Sequence, residues 1–280
     1  MAFDITHPEV VEAVRRALAE DVGPGDITTR LTVPAGKLAK GIFRAKEPLI
    51  AAGIELLELI YGELGGGVEA AILTPSGAHA RAGDELARVR GPAAILLTAE
   101  RTALNFMQRL SGVATLARAF SDAVRGTRCR VLDTRKTTPG LRRLEKMAAA
   151  AGCVTNHRMG LYDAILIKNN HIAAAGGVRQ ALEAVAGQPA PVEIEVRTLD
   201  ELEQALAGGA SRLLLDNLTP EEARSWIARI GGRATVELSG GITLANVRAY
   251  AEAGVDRISC GALTHSVKAL DLSMRCAPVP

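Results

Sequence analysis

Short apolar segments recur in the second half of this chain at a nearly constant spacing. Six of them are predicted to be buried strands: residues 130–133, 164–168, 192–196, 212–216, 235–238 and 257–259. The last four begin 20, 23 and 22 residues apart, which leaves room for one helix between successive strands. Continuous apolar strands joined by helices are typical of a parallel sheet that is buried on both faces. The pattern therefore predicts most of a (β/α) barrel, in an incomplete form.

The first half of the chain lacks this repeat. The hydrophobic pattern predicts helices over residues 7–19 and 54–63 and strands over 39–44, 68–73 and 85–90. A long amphipathic stretch over residues 92–124 is interpreted as two helices that are separated near Ser111 and Gly112. We therefore predict an α/β protein with an N-terminal α+β domain over residues 1–112 and a C-terminal barrel domain over residues 113–280.

Composition limits the classes of function. Of 280 residues, 48% are hydrophobic and only 3% aromatic, so the chain buries a large core but offers few stacking surfaces for nucleic acid. No apolar run approaches the roughly 20 residues that span a bilayer, and the first residues lack the features of a signal peptide. The four cysteines show no spacing of metal ligands. These features favour a cytoplasmic protein with reduced thiols.

Basic residues are concentrated in one part of the chain, although the net charge is only +2. Between Arg135 and His171 there are seven Lys or Arg residues and two His residues, against the two acids Glu145 and Asp163. Crowded cations repel one another unless a ligand neutralises them. The window therefore predicts an anion-binding site.

Polar residues follow each predicted barrel strand at its carboxyl end, which is where functional residues of (β/α) barrels lie. The strand ends carry the following residues: Asp133-Thr134-Arg135-Lys136, Lys168-Asn169-Asn170-His171, Glu195, Asp216-Asn217, Ser239-Gly240-Gly241 and Cys260-Gly261-Ala262. Two ends are cationic, two are acidic and two are glycine turns. All six are expected to face one opening of the barrel.

Each kind of strand end suits a different part of one ligand. Arginine and lysine side chains hold carboxylates or phosphates, and the candidates are Arg135, Lys136, Arg158 and Lys168. The carboxylates of Glu195 and Asp216 suit ribose hydroxyls or Mg²⁺, and glycine turns after the last two strands suit a phosphate. The predicted ligand carries several negative charges and a sugar.

Several of these residues also have a purely structural interpretation. Arg142, Arg143 and Lys146 are expected on a solvated helix face. Of Glu193 and Glu195, only one is expected to face the barrel opening. Lys168 taken alone fits a structural ion pair equally well, Ser239-Gly240-Gly241 fits a simple turn, and His171 and His265 fit structural histidines. The whole set at consecutive strand ends is harder to explain as structure than any single member.

Several longer motifs resemble the quinolinate phosphoribosyltransferase family, in order along nearly the whole chain. They are Gly25-Asp-Ile-Thr28, Glu100-Arg-Thr-Ala-Leu-Asn105, Ser111-Gly112, Asp133-Thr-Arg-Lys-Thr-Thr-Pro-Gly-Leu-Arg142, Asn156-His-Arg158, Leu166-Ile-Lys-Asn-Asn-His171 and Gly261-Ala-Leu-Thr-His-Ser266. The resemblance implies an N-terminal sandwich domain, an incomplete barrel and a head-to-tail homodimer. It also implies conversion of quinolinate and phosphoribosyl pyrophosphate, with Mg²⁺ and no organic cofactor, to nicotinate mononucleotide, CO₂ and pyrophosphate in NAD biosynthesis.

The same resemblance implies a role for each candidate residue. Thr134, Arg135, Arg158 and Lys168 would bind the quinolinate carboxylates, with His157 and Lys136 beside them and Arg101 reaching in from the partner subunit. Glu195 and Asp216 would hold the ribose hydroxyls and the magnesium-bound pyrophosphate, without ligating the metal directly. The turns Ser239-Gly240-Gly241 and Cys260-Gly261-Ala262 would bind the 5′-phosphate. Lys168, Lys136, Glu195 and Asp216 are the candidate catalytic residues.

Two positions depart from the family pattern. A glycine-rich turn is usual before Asn156, but here the segment Ala151-Gly152-Cys153-Val154-Thr155 keeps one glycine, so its backbone path is expected to differ. Asn169 stands where an acidic residue is common. Neither change removes a predicted ligand.

Three other functions compete with this hypothesis. A paralogue associated with molybdenum transport shares the fold, but the retained cations disfavour it. A class I aldolase would use Lys168 as a Schiff-base nucleophile, for which an apolar setting is expected, whereas Arg135 and Arg158 indicate a site that gathers anions. A protein that only binds anions or nucleic acid would not need Glu195 and Asp216, whose carboxylates repel phosphate unless a metal is present.

Overall fold

The computed structural model describes residues 3–279 of the chain, and these form two compact units. The first unit contains the described residues up to Arg118, the segment Thr137–Cys153 and the residues from Leu263 onward. The second unit contains Ala119–Lys136 and Val154–Ala262. The chain therefore crosses between the units four times.

The first unit is built on a four-stranded antiparallel sheet with the strand order β12-β1-β5-β3. Its strands are β1 (Leu38–Ala45), β3 (Glu69–Ile72), β5 (Glu85–Pro92) and β12 (Leu272–Pro278), and β2 (Leu49–Ile50) pairs with β4 (His79–Ala80) beside it. Its helices are α1 (Pro8–Val22), α2 (Ile27–Thr32), α3 (Leu56–Glu63), α4 (Ala93–Ala123, which continues into the second unit) and α5 (Arg142–Ala151). The predicted α+β domain is confirmed, and the C-terminal strand β12 completes its sheet.

The long amphipathic stretch forms one continuous helix, α4, so the predicted interruption near Ser111 and Gly112 is wrong. The two small residues serve close packing instead. The Ser111 hydroxyl accepts a hydrogen bond from the N–H of Ala52 (3.1 Å). A Cβ at position 112 would lie 2.3 Å from the Lys268 carbonyl oxygen. Glycine is retained at this position because another backbone lies directly against the helix.

Helix α5 was expected to expose its basic residues, and this is wrong for Lys146. The side chain of Lys146 is completely buried, and Arg142 and Arg143 are half-buried. Helix α5 packs against α1 within the first unit. Because of this packing, α5 exposes less of its surface to solvent than the sequence predicts.

The second unit contains all six predicted strands in one parallel sheet with the order β6-β11-β10-β9-β8-β7. They are β6 (Arg130–Leu132), β7 (Ile165–Ile167), β8 (Val192–Val196), β9 (Arg212–Asp216), β10 (Thr235–Ser239) and β11 (Arg257–Ser259). The connecting helices are α6 (Asn169–Ala175), α7 (Val178–Ala184), α8 (Leu199–Ala207), α9 (Pro220–Ile230) and α10 (Val247–Glu252), and α11 (Ala262–His265) follows β11. The sheet is open between β7 and β6, as expected for an incomplete barrel.

Local chemistry explains where the helices of the second unit begin. The Thr198 and Thr219 hydroxyls accept hydrogen bonds from the backbone N–H groups of Glu201 and Glu222, which caps α8 and α9. Pro220 occupies the first turn of α9, where its missing N–H costs nothing. Among the described residues, no helix combines the length and the apolar character needed to span a bilayer.

Candidate active site

The carboxyl ends of the parallel strands bring the predicted polar residues to one edge of the sheet. Because β9 lies between β8 and β10, Asp216 at the end of β9 has Glu195 on one side and Ser239 on the other. The turn after β11 lies next to that after β10, and the Thr134-Arg135-Lys136 segment follows β6 at the edge of the sheet. The order across this edge from β6 to β7 is therefore basic, glycine turn, glycine turn, acidic, acidic and, at Lys168, basic again.

A buried carboxylate holds the Asn156-His157-Arg158 segment beside β6. Asp133 is fully buried, and its two oxygens accept hydrogen bonds from the Asn156 side-chain amide (2.6 Å) and from the His157 backbone N–H (2.7 Å). The Thr155 N–H donates to the Val131 carbonyl and extends the sheet by one bridge. Asp133 therefore positions His157 and Arg158 through the backbone.

Arg135 and Arg158 form a pair of cations. Burial and the positive charge of Arg135 both lower the pKa of the Arg158 guanidinium from its usual value. Arg158 also donates a hydrogen bond from Nη1 to the Ala164 carbonyl oxygen (3.1 Å), which holds the side chain across the loop before β7. Two guanidinium groups whose charges act on each other favour a ligand with two negative charges.

His157 lies between two buried carboxylates. Its Nε2 is 3.4 Å from Oε2 of Glu193 and 3.5 Å from Oε1 of Glu237. Burial alone would lower the pKa of His157, but the hydrogen bonds and charges of the two glutamates outweigh it and raise the pKa to about 9. His157 is therefore a cation at neutral pH. In the part of the chain that the structure describes, the buried Oε2 of Glu237 has no hydrogen-bond partner.

Glu193 and Glu195 are both buried and lie on the same face of β8, since they are two residues apart on a strand. Glu193 contacts His157, whereas Glu195 lies nearer the carboxyl end and contacts Arg197. Only Glu195 lies near the barrel opening, as expected, but alternation is not the reason, because both side chains lie on the same face. Depth along the strand separates their roles instead.

Glu195 and Asp216 share one cation. Nη2 of Arg197 lies 2.8 Å from Oε1 of Glu195 and 2.9 Å from Oδ2 of Asp216. Asp216 also accepts hydrogen bonds from the Ser239 hydroxyl (2.7 Å) and the Asn217 amide (2.8 Å). Despite the short distance to Arg197, the buried Oε1 of Glu195 accepts no hydrogen bond of good geometry. The acidic pair thus keeps acceptor capacity for a ligand.

The turn after β10 requires glycine. Gly240 has φ +96°, and a Cβ there would lie 2.2 Å from Oδ1 of Asn217. Asn217 itself adopts φ +59° and donates its backbone N–H to the Ser239 carbonyl oxygen. After β11, the Cys260 backbone N–H is bonded to the Leu132 carbonyl oxygen, and the cysteine is buried. The backbone beyond both strands can therefore approach an anion closely.

Other predicted site residues have exposed side chains. Lys168 ends β7 and caps α6, and its ammonium group has no partner among the described residues. Lys136 is exposed, while the half-buried Thr134 hydroxyl accepts a hydrogen bond from the Lys136 N–H (3.0 Å). Arg101 lies on α4 in the first unit, and within residues 3–279 its one ion pair is with its neighbour Glu100 (3.3 Å).

Three residues without a role assigned from the sequence contribute to the site. Arg197 pairs with the acids, Glu237 holds His157, and Asp133 orients the segment that carries His157. The signal for Glu237 and Asp133 was present in the sequence as an acid inside or directly after an apolar strand. No local signal marks Arg197, because its partners lie on two strands.

The departure from the family turn has a visible structural effect. Cys153 adopts φ +68°, in the left-handed region that favours glycine. Arg118 donates a hydrogen bond from Nη2 to its Sγ (3.3 Å) within the first unit. The preceding Gly152 is required for packing, because a Cβ there would lie 2.3 Å from the Ala114 carbonyl oxygen.

The fold and the strand-end residues together define a class of protein. The parallel barrel carries arginines, two glycine turns and two carboxylates after its strands. This combination is typical of enzymes whose substrates combine anionic groups with a sugar. Comparison with known proteins narrows the class to one family.

Two family models match consecutive parts of the chain. The N-terminal domain of quinolinate phosphoribosyl transferase matches residues 26–111, and the C-terminal domain matches residues 113–275. The chain belongs to the quinolinate phosphoribosyltransferase family. Its membership agrees with the resemblance of the sequence motifs.

Individual relatives agree with the family models over nearly the whole chain. A nicotinate-nucleotide pyrophosphorylase [carboxylating] of Mycobacterium leprae is 44% identical and covers 98% of this chain and 99% of the relative. A probable enzyme of the same name from Bacillus subtilis is 38% identical over 96% and 94%. The solved structure of NadC from Streptococcus pyogenes has a TM-score of 0.94 at 36% identity and covers all of both chains.

Proposed function

We propose that this chain is a pentosyltransferase that transfers the phosphoribosyl group of phosphoribosyl pyrophosphate to quinolinate. The products are nicotinate mononucleotide, CO₂ and pyrophosphate, in the formation of NAD. Family membership supports the reaction. The carrying observation in the structure is that Glu195 and Asp216 share Arg197 at the carboxyl edge of the sheet whose first strand, β6, leads into Arg135.

Quinolinate is a pyridine with two adjacent carboxylates, and the paired cations suit it. Arg135 and Arg158 would each hold a carboxylate through a planar fork, and Thr134 and Lys136 flank Arg135 in the chain. His157 adds a third positive charge, because Glu193 and Glu237 keep it protonated at neutral pH. These residues orient the ring nitrogen toward the sugar, which is their main contribution to the rate.

The sugar phosphate suits the acidic half of the site. The carboxylates of Glu195 and Asp216 accept hydrogen bonds from the ribose hydroxyls, while the turns at Ser239-Gly240-Gly241 and Cys260-Gly261-Ala262 surround the 5′-phosphate. The carboxylates of the buried Glu195 and the half-buried Asp216 would also suit Mg²⁺, held through water or through the substrate. When bound, Mg²⁺ neutralises charge on the leaving pyrophosphate.

Charge governs both chemical steps. Departure of pyrophosphate leaves positive charge at C1 of the ribose, which the pyridine nitrogen attacks to form the new C–N bond. The positively charged ring then accepts the electron pair released when the adjacent carboxylate leaves as CO₂, and a proton replaces it. Arg135 and Arg158 orient the ring, and no organic cofactor is required.

Lys168 is the candidate group near the carbon that loses CO₂. Its ammonium group is exposed and unpartnered among the described residues, so it is available to stabilise and protonate the carbanion. The test is Lys168→Met, with Lys268→Met, an exposed lysine outside the site, as the control. Turnover close to that of the control enzyme would remove this role from Lys168.

A homodimer is supported by exposed apolar surface around Arg101. Ile27 and Leu31 on α2 are 60% and 76% exposed, and Leu97 lies one turn before Arg101 on α4. The Thr98 hydroxyl binds the Asp26 carboxylate (3.1 Å) and fixes α2 against α4. Apolar patches of this kind mark interfaces.

The second unit exposes apolar side chains of its own beside Arg158. Leu161 and Tyr162 are 73% and 76% exposed in the loop that follows Arg158. In the proposed dimer, the surface around Arg101 of one subunit covers this loop of its partner. Arg101 then completes the partner's quinolinate site, so neither subunit has a complete site by itself.

Hybrid dimers test this sharing. Mixing Arg101→Ala with Lys168→Ala subunits should recover about a quarter of wild-type activity, since half of the random dimers are hybrids with one intact site of two. The matched control mixes Arg101→Ala with an Arg101→Ala/Lys168→Ala double variant, which forms no intact site. Absence of recovery despite confirmed subunit exchange would contradict the shared site.

The reaction is tested directly with purified protein, Mg²⁺ and phosphoribosyl pyrophosphate. Quinolinate loss and nicotinate mononucleotide formation are followed by chromatography, with nicotinate as a parallel substrate. Product from quinolinate alone supports the proposal and the need for two carboxylates. Product from neither substrate, with folded protein, would contradict it. A cytoplasmic location stays a prediction.

A further inference from the structure

A second group of arginines lies at the opposite ends of the barrel strands. Arg130, Arg212 and Arg257 are the first residues of β6, β9 and β11. Arg257 is paired in register with Arg130 on the neighbouring strand. Because the strands are parallel, these residues lie at the amino-terminal edge of the sheet. Arg212 is four residues from Asp216, or about 13 Å along the strand.

The three arginines line one cavity of about 220 Å³, which we call the strand-start cavity. Its wall also contains His157, Arg158 and Glu193. The exposed residues Arg130, Thr155 and Pro191 belong to its rim, so the cavity opens to solvent. All of these residues belong to the second unit.

Positive charge in this cavity is not balanced by the protein. Within the described residues, Arg130, Arg212 and Arg257 form no ion pair and no side-chain hydrogen bond. Arg257 lies opposite Glu237 in register, but the carboxylates of Glu237 and Glu193 are engaged with His157. The cavity therefore holds four arginines and one protonated histidine against one lining carboxylate.

We propose that the strand-start cavity binds a small divalent oxyanion of the phosphate type at the amino-terminal edge of the sheet. This position differs from the edge that carries Glu195 and Asp216, although His157 and Arg158 are shared with the predicted quinolinate site. Guanidinium groups are the side chains best suited to such oxygens, because each offers two parallel N–H donors. The volume is below the roughly 300 Å³ at which pockets for drug-sized ligands begin. It therefore admits a phosphate but not a nucleotide.

Occupation of the cavity would connect three strands that start at separate points of the chain. One anion would bridge β6, β9 and β11 and relieve the repulsion among their first residues. The same anion would contact Arg158, which belongs to the predicted quinolinate site. The site is therefore expected to stabilise the barrel and to influence how Arg158 is presented to substrate.

Calorimetry with inorganic phosphate tests the proposal. The protein is first saturated with nicotinate mononucleotide and magnesium pyrophosphate, so that phosphate positions at the other edge of the barrel are filled. Wild-type protein should still bind one phosphate. Arg212→Gln/Arg257→Gln should weaken this binding at least tenfold, while Arg179→Gln/Arg224→Gln, the same charge change on exposed helix positions, should leave it unchanged.

Thermal unfolding supplies a second readout. In phosphate-free buffer, the Arg212→Gln/Arg257→Gln protein should unfold at the same temperature as wild type or at a higher one. The substitutions remove repulsion among the arginines of the strand-start cavity and break no ion pair of the described residues. Added phosphate should then raise the unfolding temperature of the wild type more than that of the variant. If the double variant does not fold, Arg130→Gln at the exposed rim should weaken phosphate binding by itself.

Two results would overturn the proposal. One is the absence of phosphate binding by product-saturated wild-type protein. The other is equal phosphate affinity in the wild type and in the Arg212→Gln/Arg257→Gln variant. The second comparison holds even if the products do not fill the other edge, because the substituted residues lie only at the amino-terminal ends of the strands.

Discussion

Arg197 and Asp216 form an ion pair across neighbouring strands, with Nη2 of Arg197 2.9 Å from Oδ2 of Asp216. The same nitrogen lies 2.8 Å from Oε1 of Glu195. One exposed arginine therefore neutralises both carboxylates that are proposed to hold the sugar and its magnesium. Arg197 thus places its positive charge beside the two carboxylates, where the magnesium-bound sugar phosphate is proposed to bind. We therefore expect Arg197 to move when substrate binds.

Removing this arginine should therefore strengthen binding of the magnesium-bound sugar phosphate. Ion pairs of exposed arginines are worth about 0.2–1 kcal/mol, so Arg197→Gln should lower the KM for phosphoribosyl pyrophosphate by up to about fivefold. Steady-state kinetics at varied Mg²⁺ measure this change. Arg248→Gln, which removes an exposed pair with Glu252 elsewhere, is the control. A raised KM in Arg197→Gln would show that Arg197 binds substrate instead.

The carboxylates themselves should be indispensable. Asp216→Asn keeps the shape and the Asn217 and Ser239 neighbours but removes the charge, so kcat/KM for phosphoribosyl pyrophosphate should fall by about 100-fold or more. Ser239→Ala removes only one hydrogen bond to Asp216 and should cost less than about tenfold. Equal losses in both variants would assign the effect to the turn and not to the charge.

His157 should make stability depend on pH in the alkaline range. Its pKa is raised from 6.5 to about 9 by Glu193 and Glu237, against the effect of burial. The stabilisation is complete below pH of about 6.5 and is lost as pH rises through about 9, amounting to something on the order of 3 kcal/mol. Urea unfolding at several pH values measures it.

The control for this titration is His157→Gln, which should show a flatter profile of unfolding free energy between pH 7 and 10. His7, which caps α1 at a half-buried position, provides a comparison as His7→Gln. A wild-type profile that stays flat from pH 7 to 10 would contradict the raised pKa.

The first unit depends on one buried acid. Glu145 is fully buried, accepts hydrogen bonds from Arg109 (2.8 Å) and from the Thr138 N–H (3.0 Å), and lies beside the Thr138 hydroxyl (2.7 Å). Glu145→Ala leaves the Arg109 charge without its partner and should lower the free energy of unfolding by about 3–5 kcal/mol. Glu252→Ala, in an exposed pair, should change it by less than about 1 kcal/mol. Similar losses in both would refute the role of Glu145.

The altered turn makes a prediction about backbone strain. Cys153 is held at φ +68°, which β-branched residues tolerate poorly. Cys153→Val should lower the free energy of unfolding by about 1–2 kcal/mol. Cys153→Asn, which adopts this conformation more readily, should stay within about 0.5 kcal/mol of wild type. Thermal and urea unfolding distinguish the two, and equal stability would mean that the turn relaxes.

Much of the second unit was accessible from the sequence by itself. Each strand from β6 to β11 is a short apolar segment whose residues are adjacent in the chain. The threonines directly before α8 and α9 mark where these helices begin. Parallel order then places the strand ends at one edge, so Arg135, Glu195 and Asp216 could be assigned to one site before any coordinates. The family resemblance of the motifs supplied the reaction.

Other features depend on which distant residues meet, and only the tertiary structure decided them. Pairing of β12 with β1 joins positions more than 200 residues apart, and hydrophobic periodicity carries no information about such partners. The continuity of α4 through Gly112 depends on the backbone at Lys268. The pairing of Arg197 with two strands, the charge of His157 and the convergence of Arg130, Arg212 and Arg257 likewise arise from close approach in space, which sets electrostatic energies and pKa values.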